Sequence, residues 1–88
     1  MSMFLFILGH YVSEERGVHV RGGVKLLSMV TEDQCMVACS NLPECLSVDF
    51  NWKSSECFGH TMDTHCGPVE DRHYVIHRKK IPCVRGVV

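Results

Sequence analysis

The sequence predicts a small α+β domain: a disulfide-stabilised antiparallel sheet of about five strands with one helix packed on it. Three observations carry the prediction. Cys35, Cys39, Cys45 and Cys57 follow a C-x3-C-x5-C-x11-C spacing. A segment with helix-start chemistry and an apolar stripe begins at Thr31. Short segments with strand-like alternation follow it, closed by Gly, Pro and Ser turns.

A chain of 88 residues makes at most one domain. A domain of that size buries a modest share of its surface and is marginal without help. Six cysteines are heavy and even usage for this length, which points to a three-disulfide framework in an oxidising compartment. Each bridge contributes about 2–4 kcal/mol, largely by restricting the unfolded chain. The expected location is therefore secreted or extracellular, and this rests on the cysteines. Met3–Leu8 is the longest apolar run, far short of the roughly 20 residues of a membrane span. It has the look of a signal h-region, but no Lys or Arg precedes it and no A-x-A-like site follows. Residues 1–17 are read as a signal-like or flexible segment, 18–84 as the folded module and 85–88 as a tail.

Taken in order, Ser13–Gly17 is charged and reads as a loop. Val18–Val20 and Val24–Leu27 read as short strands joined through the Gly22-Gly23 turn. Thr31-Glu32-Asp33-Gln34 forms a capping box, with Val30 before it as a hydrophobic staple on Cys35. Glu32 and Asp33 suit the positive end of the helix dipole. Cys35, Ala38, Cys39 and Leu42 keep the spacing of a buried stripe, and Asn41 and Pro43 end the helix. A helix of about ten residues is weak alone. Leu46, Val48 and Phe50 alternate with Ser47, Asp49 and Asn51, a half-buried strand with its polar face outward. Lys53-Ser54-Ser55 is a turn, Glu56–His60 a returning strand, and Thr61–Pro68 an irregular loop. Arg72–Arg78 is the last strand, with Tyr74 and Ile76 on one face and His73, Val75 and His77 on the other.

Geometry narrows the disulfide pairing. Helix positions four apart hold their Cβ atoms about 5–6 Å apart, while a disulfide wants roughly 3.5–4.5 Å. Cys35 therefore does not pair with Cys39. Cys39, near the helix end, can meet Cys45 just past the Asn41–Pro43 turn. Cys35 looks across to the hairpin and Cys57.

These residues resemble the PAN/apple family. The matching stretches are T-E-D-Q-C-M-V-A-C, L-P-E-C-L-S-V-D-F-N and S-E-C-F, with Asp71-Arg72-His73-Tyr74…Cys83 as a closing strand before a last cysteine. The family's nested pairing joins the same two pairs, Cys35–Cys57 and Cys39–Cys45. Apple modules usually also have an early cysteine bridged to the last one. No cysteine precedes Cys35 here and Cys66 is extra. The simplest resolution is Cys66–Cys83; the alternatives are free thiols or a bond to a partner chain.

The resemblance implies a non-catalytic extracellular recognition module whose partner is a protein or a sulfated glycan. The residues agree on the first point. Asp63 and Glu70 share no spacing, Ser54-Ser55 lacks a nucleophile-elbow context, and bridged cysteines offer no thiolate. No cofactor and no metal is expected. The rival reading is a small intracellular zinc-binding domain using Cys35-x3-Cys39, His73-x3-His77, Cys57-x2-His60 or His65-Cys66. Against it, strand residues four apart stand about 13 Å from one another, and the histidines read more simply as solvent-facing.

Charge gives the functional lead. Residues 1–71 carry ten acidic and four basic side chains; residues 72–88 carry five basic and no acidic ones. Arg72, Arg78, Lys79, Lys80 and Arg85, with His73 and His77, form a candidate anion-binding patch for sulfates or lipid heads. Some modules of the family bind heparin, which the resemblance brings to the same patch. Nucleic acid is not expected, because no RNP-like or zinc-finger context accompanies the charge. Trp52, beside Lys53 in the hairpin turn, is a candidate contact anchor.

Overall fold

The structure is a computed structural model that describes residues 11–83. Met3–Leu8 and Arg85 lie outside that range. Five strands and one helix follow in the order β1 (Ser13–Val20), β2 (Val24–Ser28), α1 (Glu32–Ser40), β3 (Ser47–Asn51), β4 (Glu56–His60) and β5 (Val69–Lys79). They form one antiparallel sheet of order β1-β5-β3-β4-β2. The architecture is the α+β arrangement expected.

The helix starts as its capping box dictates. The Gln34 amide donates to Thr31 Oγ1 at 3.2 Å, and the Thr31 amide donates to Gln34 Oε1 at 2.9 Å. Val30 packs on the core beside it. The buried stripe is Cys35, Met36 and Cys39, with one correction: Leu42, expected within it, is 41% exposed. The helix ends at Ser40 with Asn41 as C-cap, so the phase that would have carried Leu42 inward is lost.

One face of the sheet packs on this helix. Val48, Phe50, Ile76, Cys35, Cys39, Cys45 and Cys57 form the core. Cys35–Cys57 and Cys39–Cys45 are bonded there, with Cα separations of 5.4 and 5.2 Å. Cys66–Cys83 closes the third bridge, and no free cysteine remains. The zinc reading built on cysteine ligands fails for that reason.

Two further expectations are corrected. Ser13–Gly17 is the first half of β1, not a loop: Ser13 to Arg16 pair with Lys79 to Ile76. Backbone pairing with β5 overrides its polar composition. Ser47 and Asp49, expected to face solvent, are 0% and 4% exposed. β3 is the central strand, and its second face is roofed by the turn after Val20 and by the Thr61–Pro68 loop. Gly22, at φ +95°, sits so close that a Cβ would lie 2.7 Å from Thr64 Cγ2; one on Gly23 would lie 3.2 Å from the His60 ring. The turn closes on the sheet because both positions lack a side chain.

Candidate functional site

The basic run on β5 is largely consumed inside the fold. Arg78 bonds Glu32 at 2.6 Å and Glu14 at 2.9 Å, clasping α1, β5 and β1 together. Lys79 lies 3.5 Å from Glu15. Lys80 Nζ donates to the Cys39 carbonyl at 3.1 Å, near the helix end where a cation is favoured. Burial lowers its pKa. His77 is 0% exposed, so it presents no surface to a partner; the histidines His60, His65 and His77, read as solvent-facing, are all buried. Of the patch, Arg72 and His73 remain exposed, and Arg72 has no carboxylate partner among the described residues.

An aromatic rim stands at the end of the sheet instead. Trp52 and Tyr74 are 46% and 44% exposed. Their rings meet edge to face at 6.2 Å. Lys53 Nζ lies 4.6 Å from the Tyr74 centroid and the Arg16 guanidinium 5.9 Å from that of Trp52, both within cation–π range. His73 lies 6.0 Å from Tyr74.

Local chemistry builds this rim. Asn51 Oδ1 accepts from the Lys53 and Ser54 amides, both at 2.9 Å, an Asx turn that lifts Trp52 out of the hairpin. Opposite it, β5 slips register against β1 between Arg16 and Val18. Tyr74 sits in that slip with φ 69°, a left-handed conformation uncommon for a bulky residue. Its carbonyl accepts from the Trp52 amide at 2.9 Å, which fixes the two residues together. Backbone strain of this kind concentrates at functional sites. The sequence singled out Trp52 but left Tyr74 as an ordinary strand residue, because the glycine that marks the slip, Gly17 at φ 78°, lies on the partner strand in a segment read as a loop.

Next to the rim runs a groove of about 260 Å³ lined by His19, Asn51, Glu56, Phe58, Arg72 and Val75, with Asp49 among its walls. Its carboxylates are mostly committed. Lys25 bonds Glu56 at 2.9 Å and holds its carboxyl below the ordinary value. Arg21 and His19 bond Glu70 at 2.6 and 3.1 Å, and Arg21 above all does the same there.

Beneath the groove lies a polar cluster. Asp49 accepts from His60 Nε2 at 2.6 Å, from His77 Nδ1 at 2.7 Å and from the Val20 amide at 3.3 Å. Both imidazole side chains are 0% exposed. Burial raises the Asp49 pKa, but the bonds and charge of the two imidazoles outweigh it and hold it low. His60 Nδ1 meets Thr64 Oγ1 at 2.8 Å, and His77 Nε2 is buried without a partner. Sequence reasoning missed this cluster. Its members stand 11 and 28 positions from Asp49, and only the strand register, which sets Asp49 opposite His77, brings them together.

A five-stranded antiparallel sheet with one helix and three disulfides defines a small covalently braced α+β domain. The family model for the PAN domain matches residues 10–82, and the chain belongs to that family. PAN domains are disulfide-rich modules that bind protein or carbohydrate and are generally non-catalytic; three disulfides in such a fold are typical of extracellular proteins. No curated protein and no solved structure gives a significant match to the chain. Among the described residues no helix is long and apolar enough to cross a membrane.

Proposed function

We propose that this PAN domain is a non-catalytic, extracellular recognition module that docks a protein partner through the Trp52–Tyr74 rim. The observation that carries the reading is the exposed edge-to-face aromatic pair held out by the left-handed Tyr74 backbone. Trp, Tyr and Arg are the residues that dominate binding energy at protein interfaces, and here Trp52 and Tyr74 stand beside Arg16, Lys53 and Arg72.

A second reading, a sulfated glycan, is favoured by Arg72 and Lys53, neither of which has a carboxylate partner among the described residues. Two cations and an aromatic face suit a sulfated sugar, though the Arg78–Lys80 stretch is occupied elsewhere.

Trp52 is the sole tryptophan, so its fluorescence reports the rim directly. Titration with a heparin oligosaccharide at low salt separates the readings. A saturable change in Trp52 emission, lost in Lys53→Ala/Arg72→Ala and weakened by salt, supports the glycan. No change removes it. The protein reading is tested on cells of the source organism treated with heparinase or with trypsin. Binding of the labelled module that survives heparinase, is lost after trypsin and is lost in Trp52→Ala supports it; binding that Trp52→Ala leaves intact overturns it.

A further inference from the structure

We propose that Asp49, His60 and His77 form a proton sensor that fastens the Arg21–Gly23 turn and the Thr61–Pro68 loop to the sheet at neutral pH and loosens them in acid. The inference does not depend on what the rim binds.

Proton placement follows from the hydrogen bonds. Each imidazole donates one N–H to the Asp49 carboxylate. In the neutral rings, His60 Nδ1 is left as an acceptor for the Thr64 hydroxyl, and His77 Nε2 as a bare lone pair. A first added proton fits on His60. Its Nδ1 becomes a donor, the Thr64 hydroxyl rotates to accept, and the imidazolium neutralises the carboxylate. A second proton has no such place. On His77 it creates an Nε2–H with no acceptor, in a ring with 0% exposure, and gives the cluster a net positive charge. Burying an unpaired charged donor is costly.

The surrounding charges offer no relief. From β1, His19 is bonded to Glu70; from β4, Glu56 is bonded to Lys25; from β5, Lys79 lies near Glu15 and Arg72 adds positive charge at the groove. From the loop, His65 is kept toward its neutral form chiefly by burial. No uncommitted carboxylate faces the cluster among these groups.

The linkage sign follows. Histidines in an unfolded or opened segment take up protons near pH 6.5. Where the closed state accepts one and the opened state two, the opened state binds more protons, and closure weakens as pH falls below about 6.5. The parts released are those the cluster holds. Asp49 accepts from the Val20 amide, His60 bonds Thr64, and Gly22 and Gly23 rest on Thr64 and His60. Of these residues, Val20, Gly22, Gly23 and Asp49 also line the groove. The opposite face is held by Cys35–Cys57 and Cys39–Cys45, and Cys66–Cys83 tethers the loop, so opening does not require unfolding. Buried histidines that take a proton between about pH 5 and 6 are a known way to bias such an element.

The test is amide hydrogen exchange of the intact module, corrected for intrinsic chemistry, at about pH 7.4 and about pH 5. The sensor predicts about a tenfold or greater loss of protection over Thr61–Gly67 and Arg21–Gly23 in acid, with less than about a twofold change in α1. His77→Asn keeps a donor at the Nδ1 position and cannot take the second proton, so its loss is less than about threefold. Equal protection of the wild type at both pH values overturns the proposal, as does an undiminished loss in His77→Asn. Should that variant fail to fold, imidazole ¹⁵N NMR of the wild type decides. The sensor requires a neutral His77 carrying its proton on Nδ1 and protonation of His60 before His77; simultaneous protonation of the two rings overturns it.

Discussion

The two faces of this sheet solve the same problem by different chemistry. Toward α1, Val48, Phe50 and Ile76 meet two disulfides in a dry apolar core. Toward the Thr61–Pro68 loop, Asp49, His60 and His77 are as thoroughly buried, yet they are polar and held by hydrogen bonds. One face is fixed covalently and indifferent to pH. The other depends on where protons sit. The contrast teaches that a small braced domain can build one buried face from disulfides and apolar side chains and the other from hydrogen-bonded polar groups, with the rim proposed for recognition at the end of the sheet.

Breaking the covalent face has the largest expected effect. Cys35→Ala/Cys57→Ala removes a bridge spanning 22 residues whose cysteines are fully buried. The expected cost is about 5 kcal/mol, enough to unfold much of the population near 37 °C; circular dichroism melts check it. On the polar face, Asp49→Ala leaves two buried imidazoles without their acceptor and costs about 3–4 kcal/mol by urea unfolding.

Acid sharpens the comparison. The Asp49 pKa is lowered in the folded state from 3.8. Its contribution is therefore full above the unfolded value and is lost as pH falls through the lower folded value. Urea unfolding below about pH 4 should show this loss in the wild type and not in Asp49→Asn.

Smaller effects sit at the joints between elements. Arg78→Ala releases Glu14 and Glu32 and is expected to cost about 1–2 kcal/mol. Thr31→Ala removes the helix cap and costs about 1 kcal/mol.

The covalent face was legible in the sequence because its signals are local. The Thr31–Gln34 capping box, the Leu46–Phe50 alternation and the distance between cysteines four apart on a helix each follow from neighbouring residues. Strand Glu56–His60 was read to the residue. The polar face was not legible, for a physical reason. A strand buried on both faces by a turn and a loop looks, in sequence, like one with a wet side, so Asp49 and His77 were given to solvent. The basic run misled for a related reason: Arg78 and Lys79 find Glu14 and Glu15 only through the β1–β5 pairing, which the polar Ser13–Gly17 segment concealed.

The placement of recognition on the rim rather than on the basic strand end is tested most directly by comparing two variants for binding to cell surfaces. The account predicts that Trp52→Ala, with an unchanged melting temperature, weakens binding by about tenfold or more, while Lys79→Ala/Lys80→Ala changes it by less than about twofold. Wild-type binding by Trp52→Ala together with loss in Lys79→Ala/Lys80→Ala would contradict it.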